Sequence, residues 1–311
     1  MPQKTRVLAV VGPTAGGKSD LAMALAQHLP IEIVCMDSMQ IYQGMDIGTA
    51  KPTPEDRARV AHHMLDVCTP HQAYSVAEYV EAADAAIAGI VVRGHVPVLV
   101  GGTGLYLRAL RYPMTLGGGA RDDAVRARYQ QMLEKEGAQA VHALLHQRDP
   151  EAARTLHPNN TRRVIRALEV LEVTGQPFSS QRMPEEHEER YAMTVLGTQW
   201  PRPTLYERIN LRVERMMQAG LLEEVRALLD SGVSPDAQSM QGLGYKEVIP
   251  YLAGQATRED TVELISRRTR NYAKRQLTWF NREPGLIWID MKSQPQKEWA
   301  ARIAARWHDE H

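Results

Sequence analysis

The 311-residue chain contains only two cysteines, Cys35 and Cys68. Two thiols build no disulfide framework and their spacing fits no metal-ligating pattern, so a reducing compartment is expected. Cys35, inside an apolar run, reads as a core residue. Net charge is also missing, because 37 Lys and Arg offset 37 Asp and Glu. A surface for a polyanion must therefore come from local clustering of cations. No apolar stretch approaches the roughly 20 residues of a membrane span, and the opening MPQKTRVLAVVG has no secretory core. A cytoplasmic protein without a membrane partner is expected. Internal repeats and low-complexity tails are absent as well. The composition, 43% hydrophobic and 24% charged, is that of an ordinary globular chain, long enough to bury a large core in two lobes.

The stretch that is most informative is Val7–Ser19, VLAVVGPTAGGKS. Five apolar residues, three of them β-branched, lead into Gly12-Pro13-Thr14-Ala15-Gly16-Gly17-Lys18-Ser19, which satisfies G-x-x-x-x-G-K-[ST]. Gly12, Gly16 and Gly17 free the backbone so that successive N–H groups converge on phosphoryl oxygens at a helix start. The helix end adds a partial positive charge. Lys18 brings a mobile full charge, and the Ser19 hydroxyl is suited to Mg²⁺. The apolar period of Leu21, Ala24, Leu25 and Leu29 supplies the helix that such a cradle needs.

A second strand, Ile31–Met36, ends in Asp37-Ser38-Met39-Gln40. Ligands sit beyond the carboxyl ends of strands in open α/β sheets, so Asp37 is expected to face the phosphates. Ile41 to Pro52 reads as an ordered loop. Thr53 to Asp66 is expected to be helical up to His62-His63, adjacent histidines that point apart on a helix and suit a loop or packing role better than zinc. Ser75, with Glu78 at capping-box spacing, opens an amphipathic helix to Val92. A third strand, Val96–Val100, runs into Gly101-Gly102-Thr103-Gly104, where small residues let the backbone approach a ligand and Thr103 offers a hydroxyl.

Between Pro113 and Gly119 the composition turns to Pro and Gly, and a helical block follows from Asp122 to Gly175. A parallel crossover rarely needs so many residues, which predicts an inserted helical lobe. Within it Arg162, Arg163 and Arg166 share one side of a helix whose Val164, Leu168 and Leu171 face a core, and Asn159, Asn160 or Thr161 is expected to cap it. Ala192–Gly197 returns as a strand, helices follow near Leu205 to Ser231, and Leu286–Asp290 is expected to join the sheet. A Gly-punctuated loop holds Gln241-Gly242-Leu243-Gly244-Tyr245-Lys246. Thr261 to Asn281 reads as a helix carrying Arg267, Arg268, Arg270, Lys274 and Arg275, with no acidic residue between Arg267 and Arg282. That run fits a solvated face, and equally an RNA surface interleaved with Tyr272, Trp279 and Phe280.

The fold class expected is α/β: a parallel sheet flanked by helices, with an inserted all-helical lobe. The divisions expected are 1–115 for the first part of the core, 116–190 for the lobe, and 191–311 for core completion with the basic helix.

GPTAGGKS, DSMQIYQGMDIGTAKP, GGTGLY, RRVIRALEV, QGLGYKE and YAKRQLTWF occur in the order found in the bacterial tRNA dimethylallyltransferase family, also called tRNA isopentenyltransferase, which the chain resembles from Val7 to about Asp290. The resemblance implies transfer of a dimethylallyl group from dimethylallyl diphosphate to the exocyclic amine of the adenine beside the anticodon, at tRNA position 37. It also implies a P-loop kinase-like core whose cradle holds an isoprenoid diphosphate in place of ATP, with Mg²⁺ through Ser19. Asp37 matches the family's general base, Thr103 a residue near the breaking bond, and Arg126 an arginine of the reaction channel. The loop before Arg126, Leu116-Gly117-Gly118-Gly119-Ala120, lacks the prolines common there. For tRNA the pattern maps onto Asp37-Ser38-Met39-Gln40, Thr103, Arg126, Arg162-Arg163-Val164-Ile165-Arg166, Gln241 to Lys246, and Lys274-Arg275-Gln276-Leu277-Thr278-Trp279-Phe280-Asn281. Ser38 and Gln40 are expected to recognise neighbouring bases. The implied partners are the anticodon stem-loop and dimethylallyl diphosphate, and nothing demands more than a monomer. The rival readings are an ATP-dependent small-molecule kinase, a transferase acting on free adenine nucleotides, and a non-catalytic RNA-binding module.

Overall fold

A computed structural model describes residues 4–114, 122–180 and 188–309. The chain divides into two compact units, Met1–Arg111 with Glu189–His311, and Tyr112–Glu188. The expected break after residue 115, most of the Pro/Gly-rich stretch at 113–119 and the loop before Arg126 lie outside the described residues.

The larger unit is built on β1 (Arg6–Val11), α1 (Lys18–Leu25), β2 (Ile31–Met36), α2 (Pro54–Arg59), β3 (His62–His63), α3 (Val76–Val92), β4 (Val96–Gly101) and α4 (Gly104–Arg111). The smaller unit contains α5 (Asp123–Arg148), α6 (Pro150–Thr155) and α7 (Thr161–Thr174). The larger unit resumes with β5 (Ala192–Gln199), α8 (Arg202–Gln218), α9 (Leu221–Asp230), α10 (Tyr245–Leu252), α11 (Arg258–Phe280), β6 (Ile287–Asp290) and α12 (Gln296–Asp309).

The six strands are all parallel, in the order β3-β2-β4-β1-β5-β6. Both faces are covered, which is why the central strands read as unbroken apolar runs. Alternation in β1 sends Val7, Ala9 and Val11 toward Tyr79, Ala83 and Ile87 of α3. Leu8 and Val10 face Leu21 and Leu25 of α1 with Ala300, Ala304 and Trp307 of α12 on the other side. Ser75 and Glu78 form the expected capping box on α3. A further core joins α8, α9, α10 and α11 to the loop after β2 through Ile41, Tyr42, Met45, Val213, Leu221, Tyr245 and Ile265. The smaller unit has its own core, in which Tyr129, Leu145, Val164 and Leu168 pack together.

Three expectations are corrected. The helix begun at Thr53 stops at Arg59, because Ile33 and Val34 of β2 recruit His62 and His63 as a short edge strand. Asn160 is the N-cap of α7, but its side chain makes no capping hydrogen bond. The basic helix begins earlier than Thr261, at Arg258, because the Thr257 hydroxyl caps it by accepting from Asp260 N at 3.1 Å. No helix among the described residues is long and apolar enough to cross a membrane.

Candidate active site

The chain crosses the sheet in opposite directions from β1 and β4, which lie side by side, so the loops after them open at a topological switch point. The loop after β1 is Gly12–Gly17. Gly17 is left-handed, φ +83°, and turns the chain into α1. Gly16 is required for space: a Cβ there would stand 2.7 Å from the Pro13 carbonyl oxygen. The strained non-glycine position in this loop is Ala15, φ +59°.

Lys18 curls over the loop and donates to the Pro13 carbonyl at 2.8 Å. Burial, with repulsion from Arg212 behind it, pushes the ammonium down to about 8, while Asp37 pulls the other way. Arg212, on α8, is lowered by burial and raised by Asp37; it donates to the Thr49 carbonyl at 3.3 Å. Two desolvated cations near one carboxylate form a site short of negative charge, suited to an anion.

The loop after β2 presents Asp37. One carboxylate oxygen accepts from Met39 N at 2.9 Å, an Asx turn that fixes the side chain. No described residue donates to the other oxygen, Oδ2. Ser38 N donates to the Thr103 hydroxyl, and Thr103 N to the Met36 carbonyl, both at 3.3 Å. The ends of β2 and β4 are thereby stitched together with Asp37 and Thr103 adjacent.

Two cavities share these walls. A smaller one of about 90 Å³ is lined by Thr14, Lys18, Ser19, Asp37, Gly102 and Arg212, among others. The other, about 270 Å³, is lined by Asp37, Ser38, Met39, Gln241, Leu243 and Lys246, among others. Thr14, Asp37, Thr49, Arg212 and Tyr272 belong to both. Asp37 therefore stands where the smaller cavity, at the loop after β1, meets the second one.

The walls of the second cavity are fixed by two carboxylates. Glu224 of α9 accepts from Asp46 N, Ile47 N and Gly48 N at 2.8, 2.7 and 3.0 Å, and from the Tyr245 hydroxyl at 2.6 Å. Glu247, buried, accepts from Gly244 N and from Arg268 of α11, both at 2.7 Å. Gly48 has to be glycine, since a Cβ would meet the Tyr245 ring at 2.5 Å.

With that geometry in place, the sequence matches the family described as IPP transferase over residues 40–283. The chain belongs to the IPP transferase family. Among similar proteins, tRNA dimethylallyltransferase 1 of Pelobacter propionicus is 49% identical over 292 residues, covering 93% of this chain and 94% of that protein. The tRNA dimethylallyltransferase of Bacillus subtilis is 47% identical over 288 residues, covering 93% and 91%. Among solved structures, the full-length tRNA isopentenylpyrophosphate transferase of Bacillus halodurans matches with TM-score 0.72 at 40% identity, covering 99% of this chain and 96% of that one. A eukaryotic dimethylallyltransferase acting on tRNA matches with TM-score 0.81 at 28% identity, covering 98% and 79%.

Not every residue marked by the family's pattern reaches a surface. Val164 and Ile165 are core residues of the smaller unit. Phe280 is 1% exposed, and Gln276 points inward. Arg268 and Arg270 are engaged, the latter with Asn210 at 2.7 Å. The Gln40 amide is spent inside the protein: its oxygen accepts from the Cys35 thiol, and its nitrogen donates to the Thr49 and Ala50 carbonyls. Cys35 is buried as expected, with its thiol pushed up by burial. In the smaller unit Arg126 and Arg166 donate to the buried Glu169 at 2.8 and 2.9 Å, while Arg162 and Arg163 are exposed. Lys274, Arg275, Thr278 and Trp279 are exposed and, with Arg108 and Arg282, line a groove of about 500 Å³.

Arg212 and Glu224 were missed in the sequence. Arg212 lies in a mixed-charge helix, LRVERMMQ, with no local pattern to separate it from a solvated arginine.

Proposed function

We propose that the chain transfers a dimethylallyl group from dimethylallyl diphosphate to the exocyclic amine of adenine at tRNA position 37. The observation that carries this is Asp37, with Oδ2 accepting from no described residue, on the wall shared by the cation-lined cradle and the cavity bordered by Gln241–Lys246.

The adenine amine is a weak nucleophile, its lone pair delocalised into the ring. Asp37 Oδ2 takes an amine proton as the nitrogen bonds to the first prenyl carbon. The bond from that carbon to the diphosphate oxygen breaks, and both of its electrons leave with diphosphate. Backbone N–H groups of the cradle, Lys18 and Arg212 stabilise the charge that builds there. Thr103 lies beside Asp37 at the ends of β2 and β4, and the family's pattern gives it a place near the breaking bond and gives Arg126 one at the reaction channel.

The donor chemistry fits magnesium: the Ser19 hydroxyl, on the cavity wall, is a hard oxygen ligand. No group of three His, Cys, Asp or Glu side chains that could hold a metal occurs among the described residues. Bound there through Ser19, magnesium would neutralise the leaving group.

The base must leave the anticodon loop, at a cost of a few kcal/mol. Phosphate contacts from Lys274, Arg275, Arg162 and Arg163, with stacking on Trp279, offset that cost. Ser38, Met39, Gln241, Leu243 and Lys246 surround the incoming base. The chain acts as a monomer in the cytoplasm. The test is incubation with labelled dimethylallyl diphosphate and either unmodified tRNA or AMP, followed by nucleoside analysis. Label is expected in isopentenyladenosine from tRNA alone; label in AMP, or in neither, would overturn the reading.

A further inference from the structure

Gln276 lies in the segment whose family pattern points to tRNA, yet its side chain is turned away from the surface. Residue 276 is 6% exposed, while Lys274, Arg275, Thr278 and Trp279 around it on α11 are exposed. Helical spacing explains the difference: Ala273, Gln276 and Phe280 follow the i, i+3, i+7 period and form the buried stripe.

The amide then reaches the cradle. Its Oε1 accepts from Thr14 N at 2.8 Å, and its Nε2 donates to the Gly102 carbonyl at 2.9 Å. A backbone N–H only donates and a carbonyl only accepts, so these two partners fix the amide in one orientation. The contact leaves no slack on the Gly102 side, where a Cβ would come within 2.1 Å of Nε2. Thr14 belongs to the loop after β1 and Gly102 to the loop after β4, adjacent to Thr103. One side chain thus ties together the two loops that wall the smaller cavity, in which Thr14, Gly102 and Gln276 are all exposed to the space.

We propose that Gln276 is a positioning residue for the diphosphate cradle and makes no contact with tRNA. This rests on the functional reading above. It follows that the Thr14 N–H is committed to Gln276 and is not among the groups that grip the anion. The anion is held by the N–H groups after Thr14 together with Lys18 and Arg212.

The test compares binding of inorganic pyrophosphate with Mg²⁺, by calorimetry, and binding of unmodified tRNA, by anisotropy, in the full chain. Gln276→Met keeps the length of the side chain and removes both hydrogen bonds. Pyrophosphate affinity is expected to fall about tenfold, with tRNA affinity held within about twofold. Gln276→Glu preserves shape, so it carries the test if the methionine variant does not fold. It keeps an acceptor for Thr14 but sets a second acceptor against the Gly102 carbonyl, and a larger loss of pyrophosphate binding at unchanged tRNA affinity is expected. Unchanged pyrophosphate binding, a loss confined to tRNA, or a parallel loss of both at unchanged melting temperature would overturn the proposal. A wild-type chain that binds pyrophosphate without prenylating tRNA would count against the functional reading alone, and one that binds no pyrophosphate against both.

Discussion

Alanine at position 224 removes an acceptor from four donors at once: Asp46 N, Ile47 N, Gly48 N and the Tyr245 hydroxyl. A hydrogen bond to a charged group contributes about 1.5–3 kcal/mol. Four in full would exceed what single substitutions cost, which is about 0.5–3 kcal/mol in most cases. Glu224, Ile47 and Gly48 are half-buried and Asp46 is exposed, so water re-solvates the three N–H groups in part. The Tyr245 ring is fully buried, and burial already pushes its hydroxyl strongly upward; that hydroxyl loses the carboxylate to which it donates. The expected cost is about 2–4 kcal/mol, read from urea unfolding with an unchanged denaturant slope. Because Gly48 and Tyr245 line the second cavity, KM for tRNA is expected to rise in the same variant, while pyrophosphate affinity changes little. A loss below about 1 kcal/mol would refute the view that Glu224 ties the loop at residues 46–48 to Tyr245.

Affinity for pyrophosphate is expected to fall as pH rises through about 8, where the Lys18 ammonium is lost; titration calorimetry across that range would show it. Lys18→Met should abolish the step and reduce kcat/KM by about 10²–10³. Glu32 is held down to about 2, chiefly by the Arg93 guanidinium, with His63 and His95 adding hydrogen bonds against the cost of burial. A depressed carboxylate stabilises the fold above its unfolded value of 4.5 and loses that contribution as pH falls toward about 2. Thermal melts carried down into that window should show the decline in the wild type and a flatter profile in Glu32→Gln.

Features with a local signature were legible in the sequence. The cradle, the capping box at Ser75 and Glu78, and the apolar strands each depend on residues a few positions apart. The continuous runs of β1, β2 and β4 could be read as buried strands because both faces of the sheet are covered. Asp37 was legible because it follows a strand directly, and strand ends are where such a sheet opens. What stayed hidden depends on partners far away in sequence. Glu224 meets residues 46–48 only after α9 packs onto the loop beyond β2, and Arg212 reaches Lys18 only through α8. Gln276 illustrates the same limit: a basic helix announces its charge, but which of its residues turn inward is set by the loops it packs on. His62 and His63 became a strand because β2 had an open edge to pair, which outweighed the local helical pattern.

The most direct measurement is single-turnover transfer by Asp37→Asn, with labelled dimethylallyl diphosphate and saturating unmodified tRNA. Asparagine keeps the size and the Asx turn but cannot take a proton. The chemical step is expected to slow by about 10²–10⁴, with pyrophosphate and tRNA still bound at wild-type affinity. Transfer at the wild-type rate would contradict the account, because the carboxylate between the two cavities would then have no part in activating the base.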